Sequence, residues 1–191
     1  MRVIAGKFRS RPLRSIRGLD IRPTADRLRE TLFNVLIAGN PQALQGSVWV
    51  DLFAGTGAVG IEALSRGAAL VCFVEHSRRA AELISANLAS LKITGGTELL
   101  QQDVCHAIPQ LARKGMRANF VFLDPPYRQQ NLYRSVIEAL QSSGLAADAL
   151  VIAEHDKRFD PGETFGDLQR TRILQQGDAA LSFYRRKKLS P

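Results

Sequence analysis

The chain has 191 residues, an apolar share of 45% and a formal net charge of +8, which is length enough for one domain with a substantial core. No apolar run is long enough to span a membrane and no apolar signal core opens the chain, so neither insertion nor secretion is expected. Two cysteines without Cys-x-x-Cys spacing, Cys72 and Cys105, predict a reducing, cytoplasmic setting, and His76, His106 and His155 are too scattered for a zinc site.

The charge is uneven. In the first thirty residues nine basic side chains (Arg2, Lys7, Arg9, Arg11, Arg14, Arg17, Arg22, Arg27, Arg29) face three acids (Asp20, Asp26, Glu30). Residues 3–6 and 12–16 read as short strands with basic residues between and after them. Arg22-Pro23-Thr24-Ala25-Asp26 then introduces a helix carrying Leu28, Leu32, Phe33 and Leu36 on one face. It ends around Gly39-Asn40-Pro41, as helices do. Residues 1–41 are too few to fold alone and are expected to pack as an extension on a core of residues 42–191.

From residue 48 onward, strands and helices alternate at the spacing of parallel βαβ units. Strands are predicted at 48–52, 71–75, 97–102, 119–124 and 149–154, with helices near 59–66, 78–91, 105–113 and 130–142. Near 78–91, Ala80, Leu83, Ile84, Leu88 and Leu91 recur at helical spacing, ahead of the breaker pair Gly95-Gly96. Further on, Thr171-Arg172-Ile173-Leu174 and Ala180-Leu181-Ser182-Phe183-Tyr184 flank Gly177-Asp178 and read as a hairpin. A second basic cluster, Arg185-Arg186-Lys187-Lys188, comes directly after it.

Two strand ends carry chemistry. The first, Val48-Trp49-Val50-Asp51-Leu52, runs into Phe53-Ala54-Gly55-Thr56-Gly57-Ala58-Val59-Gly60. Glycines at such a turn let the backbone pass close to a ligand and aim helix N–H groups at it. By itself, Gly55-x-Gly57-x-x-Gly60 also fits a dinucleotide fingerprint. Glu75 ends the next apolar run, where an acid binds ribose hydroxyls in either kind of site. The second strand end is Phe120-Val121-Phe122-Leu123, four apolar residues that read as a strand buried on both faces. It stops at Asp124-Pro125-Pro126-Tyr127. Two prolines end a strand and stiffen the turn beyond it, leaving a carboxylate, exposed carbonyls and an aromatic face. Acceptors of this kind grip an exocyclic amino group while the ring stacks on its base. Asp51 stands four residues before the first glycine, where a nicotinamide-binding turn has apolar residues. The Asp-Pro-Pro-Tyr turn has no role in hydride transfer.

Together these motifs resemble the class I S-adenosylmethionine-dependent methyltransferases, in the branch that methylates exocyclic amino nitrogens of bases. That resemblance implies an α/β, Rossmann-like fold. Its sheet would be mostly parallel, with seven strands and a C-terminal antiparallel hairpin, flanked by helices and joined by the small basic N-terminal hairpin and helix. Over its whole length the chain is similar to the RsmD family of small-subunit rRNA guanine-N2 methyltransferases. The similarity begins at Met1-Arg2-Val3-Ile4-Ala5-Gly6 and continues through Arg22-Pro23-Thr24-Ala25-Asp26-Arg27-Leu28-Arg29-Glu30-Thr31-Leu32-Phe33-Asn34. The latter segment is the most specific part; the Asp51–Gly57 and Asp124–Tyr127 motifs recur more widely.

By this resemblance, Asp51 and the backbone at Ala54, Gly55 and Gly57 hold the methionine end of S-adenosylmethionine, with Thr24 covering it. Glu75 takes both ribose hydroxyls, Asp103 the adenine amino group, and the Val104 amide the adenine ring. Asp124, Pro125, Pro126 and Tyr127 form the catalytic turn. Lys7, Arg9, Arg11, Arg14, Arg17 and Arg22 form a phosphate-binding surface. The implied partner is 16S rRNA, free or within the small ribosomal subunit or an assembly intermediate. A monomer without metal or membrane contact is expected. Glu154-His155-Asp156 is polar and near the expected pocket but receives no role, and a solvated strand end is at least as good a reading. Three rival readings differ in class. A DNA amino-methyltransferase would need a target-recognition domain for which there is no spare length. A non-catalytic RNA-binding factor would not need intact glycines, Glu75 and Asp124, and a dehydrogenase is disfavoured by Asp51.

Overall fold

The computed structural model describes residues 1–15, 23–126 and 128–187, the side chains of residues 23–25 excepted. Short apolar runs bounded by glycine and polar turns form five neighbouring parallel strands: β1 (Val48–Leu52), β2 (Leu70–Val74), β3 (Thr97–Leu100), β4 (Phe120–Leu123) and β5 (Leu150–Asp156). Helices α1 (Pro23–Ile37), α2 (Ala58–Ser65), α3 (Arg78–Ser90), α4 (Val104–Arg113) and α5 (Asn131–Ser143) complete the α/β alternation. Two antiparallel strands, β7 (Leu168–Gln176) and β8 (Ala179–Arg186), turn at Gly177 with φ 63°, as the Gly177-Asp178 signal predicts.

The sheet has eight strands rather than seven. A two-residue strand, β6 (Thr164–Phe165), pairs with the start of β7, giving the order β3-β2-β1-β4-β5-β8-β7-β6. Two residues cannot display an alternation, so no sequence pattern marks it. No described helix is long and apolar enough to cross a membrane. Cys72 is buried in β2, where desolvation pushes its thiol up to about 12, so it stays protonated.

Apolar side chains alternate between the two faces. Trp49, Val71, Phe73, Phe120, Phe122 and Ile152 face α1, α2, α3 and the N-terminal segment, while Val50, Leu52, Val121, Leu123 and Val151 face α4 and α5. On the first face Trp49 stacks between Phe33 of α1 at 5.4 Å and Phe120 of β4 at 5.2 Å. That stack seats α1 across the middle of the sheet.

The two short N-terminal strands are not strands. Residues 1–13 form a hairpin with one isolated bridge, Arg2 to Pro12, and backbone bonds from Val3 N–H to Arg11, Ser10 N–H to Val3, and Leu13 N–H to Met1. The reason lies in where the remaining amides go. Ile4 and Ala5 N–H donate to the Glu62 carboxylate at 2.8 and 3.0 Å, Lys7 N–H donates to the Ser65 carbonyl, and Phe8 N–H donates to Ser65 Oγ. Glu62 is fully buried and also accepts from Arg66 Nε at 2.7 Å. At the far side of the hairpin the buried Asn87 of α3 pairs with both backbone groups of Arg14 and donates to the Thr56 carbonyl at 2.9 Å. The extension is thus tied to α2 and α3 by buried side chains reaching for its backbone.

Removing the carboxylate of Glu62 leaves two amides and Arg66 without their acceptor. Glu62→Ala should lower the unfolding free energy by about 2–4 kcal/mol, read as a drop in the urea midpoint; a loss below about 0.5 kcal/mol would show that the hairpin is not held this way.

Candidate active site

Parallel pairing brings three acids together. Asp51 lies opposite Phe122, and Leu123 lies opposite Ala153. Because side chains alternate, Asp51, Asp124 and Glu154 emerge on the same face of three neighbouring strands, at their carboxyl ends. Ligands in open α/β sheets bind in that position.

The turn after β1 is shaped to expose its backbone. Phe53 takes the left-handed conformation at φ 61°, an uncommon one for a bulky residue and one that clusters at functional sites. Gly57 caps α2 at φ 74°. Gly60 donates its amide to Asp51 Oδ2 at 2.9 Å, and a Cβ there would sit 2.3 Å from the Phe73 ring. Glycine is required because helix and strand touch. Glu75 is held by two amides, Gly55 N–H to Oε2 at 2.8 Å and Ser77 N–H to Oε1 at 2.7 Å. This carboxylate therefore braces the glycine turn from the neighbouring strand.

Two cavities open along these residues and meet at Phe53, Gly55 and Asp124. The smaller, about 180 Å³, is bounded by Asp51, Ala54, Thr56, Asp124, Glu154 and, from α1, Leu28, Arg29 and Leu32. The larger, about 550 Å³, is bounded by Glu75, His76, Ser77, Asp103, Val104, Asp124, Pro125, Pro126, Gln129 and Leu132. Of the predicted site residues, Asp51, Ala54, Gly55, Glu75, Asp103, Val104, Asp124, Pro125 and Pro126 line this continuous trough. Gly57 caps the helix beside it. Asp103 also caps α4, accepting from Cys105 N–H at 2.8 Å. Tyr127, Arg17 and Arg22 lie outside the described residues, as does the Thr24 side chain. Lys7, Arg9, Arg11 and Arg14 are exposed on the hairpin, and no described acid is ion-paired with them. The described members of the second basic cluster, Arg185, Arg186 and Lys187, lie at the opposite end of the sheet, because β8 runs antiparallel to β5, and Lys188 lies outside the described residues. There Arg186 pairs with Asp167 at 2.9 Å.

Burial governs the charge of the trough. Desolvation raises the Asp124 carboxyl to about 7. It also raises Asp51 well above the usual carboxylate range, against the Gly60 amide and with help from Asp124 and Glu75. Glu154 is raised by desolvation and by Asp124, and Arg29 opposes the shift. Glu154-His155-Asp156 is not a solvated strand end. Strand β8 continues the ladder through Asp156, leaving Glu154 on the cavity and His155 fully buried. The His155 Nδ1–H donates to the Asp156 carbonyl and its Nε2 accepts from Ser182 Oγ, while burial lowers its affinity for a proton. Asp156 is held low by Arg158.

Four residues of the site escaped sequence reasoning. Arg29 is 6% exposed, bonded through one terminal nitrogen to the Arg2 carbonyl and Asp26, with its buried Nε–H unpaired. Its signal was a cation on the Leu28/Leu32/Phe33 stripe of an amphipathic helix. Tyr133 of α5 donates to the Glu154 carbonyl at 2.8 Å and lies 3.5 Å from the Pro125 carbonyl, so it ties the two strand ends together. Phe53 and Glu154 are the others: Phe53 stood in the glycine motif without a role of its own, and Glu154 was placed near the pocket with none assigned.

A parallel sheet in this order, closed by an antiparallel hairpin and bearing its trough at the carboxyl ends of β1, β2 and β4, defines the class I methyltransferase fold. A family model described as Conserved hypothetical protein 95 matches residues 1–185, and the chain belongs to that family, the RsmD family that the sequence resembles. Ribosomal RNA small subunit methyltransferase D of Escherichia coli (strain K12) is 39% identical over 157 residues, 82% of this chain and 75% of that protein. YlbH of Bacillus subtilis (strain 168) is 34% identical over 187 residues, 98% of this chain and 100% of that one. The solved structure of yhhF from Escherichia coli superposes with a TM-score of 0.80 at 36% identity, covering 98% of each chain. By fold and family the chain is a methyltransferase.

The raised carboxyls set a sign for stability. Between the ordinary aspartate value and about 7, the unfolded chain has Asp124 ionised while the folded chain keeps it protonated. This contribution is full at low pH and is lost as pH rises to about 7, with Asp51 and Glu154 acting in the same direction. The unliganded protein should melt lower at pH 8 than at pH 5.5, and Asp124→Asn should flatten part of that difference. An unaltered difference would mean that Asp124 does not titrate in this window.

Proposed function

We propose that this protein transfers the methyl group of S-adenosylmethionine to the exocyclic N2 amino group of a guanine in small-subunit rRNA. The observation carrying this reading is the position of the Asp124-Pro125-Pro126 turn. It stands where the two cavities meet, beside the glycine turn, so a methyl donor in the trough and an amine held by the turn would be neighbours. The relative named as a small-subunit rRNA methyltransferase supplies the substrate class.

The residues present suit that cofactor. The larger cavity offers the Glu75 carboxylate for a ribose diol, with Asp103 and the Val104 amide beyond it for adenine. The smaller cavity offers the orphaned Arg29 Nε–H for a carboxylate and Asp51 for an ammonium group. A cation entering there would relieve the desolvation that keeps these acids protonated. S-adenosylmethionine supplies a methyl already activated by its sulfonium charge.

The protein's own work is alignment and charge placement. The guanine amino group is a weak nucleophile, because its lone pair is delocalised into the ring. Asp124 and the Pro125 carbonyl accept its two N–H groups and favour a more tetrahedral nitrogen. As positive charge develops on that nitrogen the same acceptors hold it more strongly, which selects for the transition state. The prolines fix the turn, so little reorganisation is needed. The aromatic residue next in the chain, Tyr127, stacks on a base swung out of its helix or loop. Exposed Lys7, Arg9, Arg11 and Arg14 meet RNA phosphates.

The test is tritiated methyl transfer to unmodified small subunits, to naked rRNA and to duplex DNA, with nucleoside analysis of the product. N2-methylguanosine from the ribosomal material is expected; methyladenine or methylcytosine in DNA would overturn the reading. Asp124→Ala should lower turnover by about 100-fold or more while cofactor affinity stays within about threefold. If about six phosphates are contacted, log binding constant against log salt should fall with a slope of about −4 to −5. Neutralising Lys7, Arg9 and Arg11 together should flatten it, and an unchanged slope would remove the hairpin from RNA contact.

A further inference from the structure

Glu154 takes no part in the chemistry above, yet the fold places it beside the group that does. It comes after Ala153 as Asp124 comes after Leu123, and Ala153 and Leu123 are ladder partners. The two carboxyls therefore stand side by side on one face, at the edge of one cavity. Tyr133 binds the backbone of the turn after β4 and of β5 at this point, fixing their separation. No described group donates a hydrogen bond to either carboxyl, and Arg29, the cation that opposes the Glu154 shift, spends its ion pair on Asp26. The acids are not grouped as metal ligands.

We propose that Glu154 is a positioning residue for methyl transfer: with Asp124 it forms a carboxyl pair that holds one proton in the resting site, and it thereby sets the pH at which Asp124 is free to receive the amine's proton. This rests on the function proposed above. In the step, the N2 lone pair forms the N–C bond while the C–S bond breaks and its electron pair remains on sulfur. One N–H proton then passes from the methylated nitrogen to the Asp124 carboxylate, leaving both carboxyls neutral until the product departs and a proton returns to water.

The physical ground is that two adjacent carboxyls out of water cannot both ionise cheaply. Desolvation raises both groups and Asp124 further raises Glu154, so their titration belongs to the pair. The charged and titratable neighbours are Arg29 from α1, which favours ionisation, and Asp51 from β1, which opposes it. Glu75 acts on Asp51 from β2, and Tyr133 contributes from α5 through the Glu154 backbone. On its own strand, His155 turns to the opposite face and is bonded to Ser182 of β8. Among the described residues Arg29 is the cation set against three acids, and the pair retains one proton at neutral pH.

The experiment is single-turnover methyl transfer to unmodified small subunits at saturating S-adenosylmethionine from pH 5.5 to 9, with wild type, Glu154→Gln and Glu154→Asp. The wild-type rate should rise with a midpoint near 7. Glu154→Gln, whose amide donates to the Asp124 carboxylate more weakly than a carboxylic acid, should move that midpoint up by about 0.5 unit or more and lower the plateau by about threefold to tenfold, and Glu154→Asp should restore the wild-type midpoint. A Glu154→Gln profile with the wild-type midpoint would overturn the pairing. A second measurement needs neither turnover nor that variant: carboxyl carbon NMR of the wild type should show Asp124 and Glu154 titrating together in two steps, reduced to one in Asp124→Asn. Independent single steps would overturn the proposal. Failure of the wild type to make N2-methylguanosine would instead count against the function itself, with the NMR titration still deciding whether the pair exists.

Discussion

The candidate active site depends on the in-register parallel pairing of β1, β4 and β5. Once Asp51 is level with Phe122 and Leu123 with Ala153, the alternation of a pleated strand sends Asp51, Asp124 and Glu154 out on one face. A slip of one residue would turn them into the apolar layer under α4 and α5. The large apolar side chains of both faces hold the register, so the core positions the acids without any contact designed for them. Their placement destabilises the empty protein, since three carboxyls share a desolvated pocket with a single buried arginine. Sites that bind cations tightly commonly store strain of this kind and release it on binding.

What covers the trough is set by tertiary packing. Phe33 lies against Trp49, and Trp49 against Phe120, which locks α1 over the sheet. Arg29 stands one turn before Phe33, on the same helix face, and is thereby carried over the acids. Substituting the stack would move a charge that it never touches.

Most of the fold was legible because buried parallel strands are uninterrupted apolar runs, and β1 matched its predicted limits, 48–52. Glu75 and Asp124 could be picked out because each ends such a run, where a side chain leaves the core, and Asp51 because it stands one residue from the end of its run, just before the glycine turn. Glu154 also ends one, but three polar residues in a row fit a solvated strand end as well as a pocket wall. The ladder with β8 that buries it comes from residues 179–186, distant in sequence. Arg29 was hidden for a related reason: a cation on an apolar stripe reads as a helix edge until the partner surface is known. The hairpin was mistaken for paired strands because its spacing of apolar residues fits both arrangements. Only the buried acceptors at Glu62, Ser65 and Asn87 show that its amides bond to helices instead.

That last arrangement separates what fastens the segment from what it presents to solvent. The hairpin is fastened through backbone amides and carbonyls, which every residue except proline supplies in full, while Lys7, Arg9, Arg11 and Arg14 project into solvent. Side chains at these positions can therefore be exchanged over generations at little cost to folding. Charge and shape of the surface can drift while Glu62 and Asn87, unseen from outside, keep the scaffold in place. Variation at the tip and constancy at its fastenings is the pattern of descent this architecture permits.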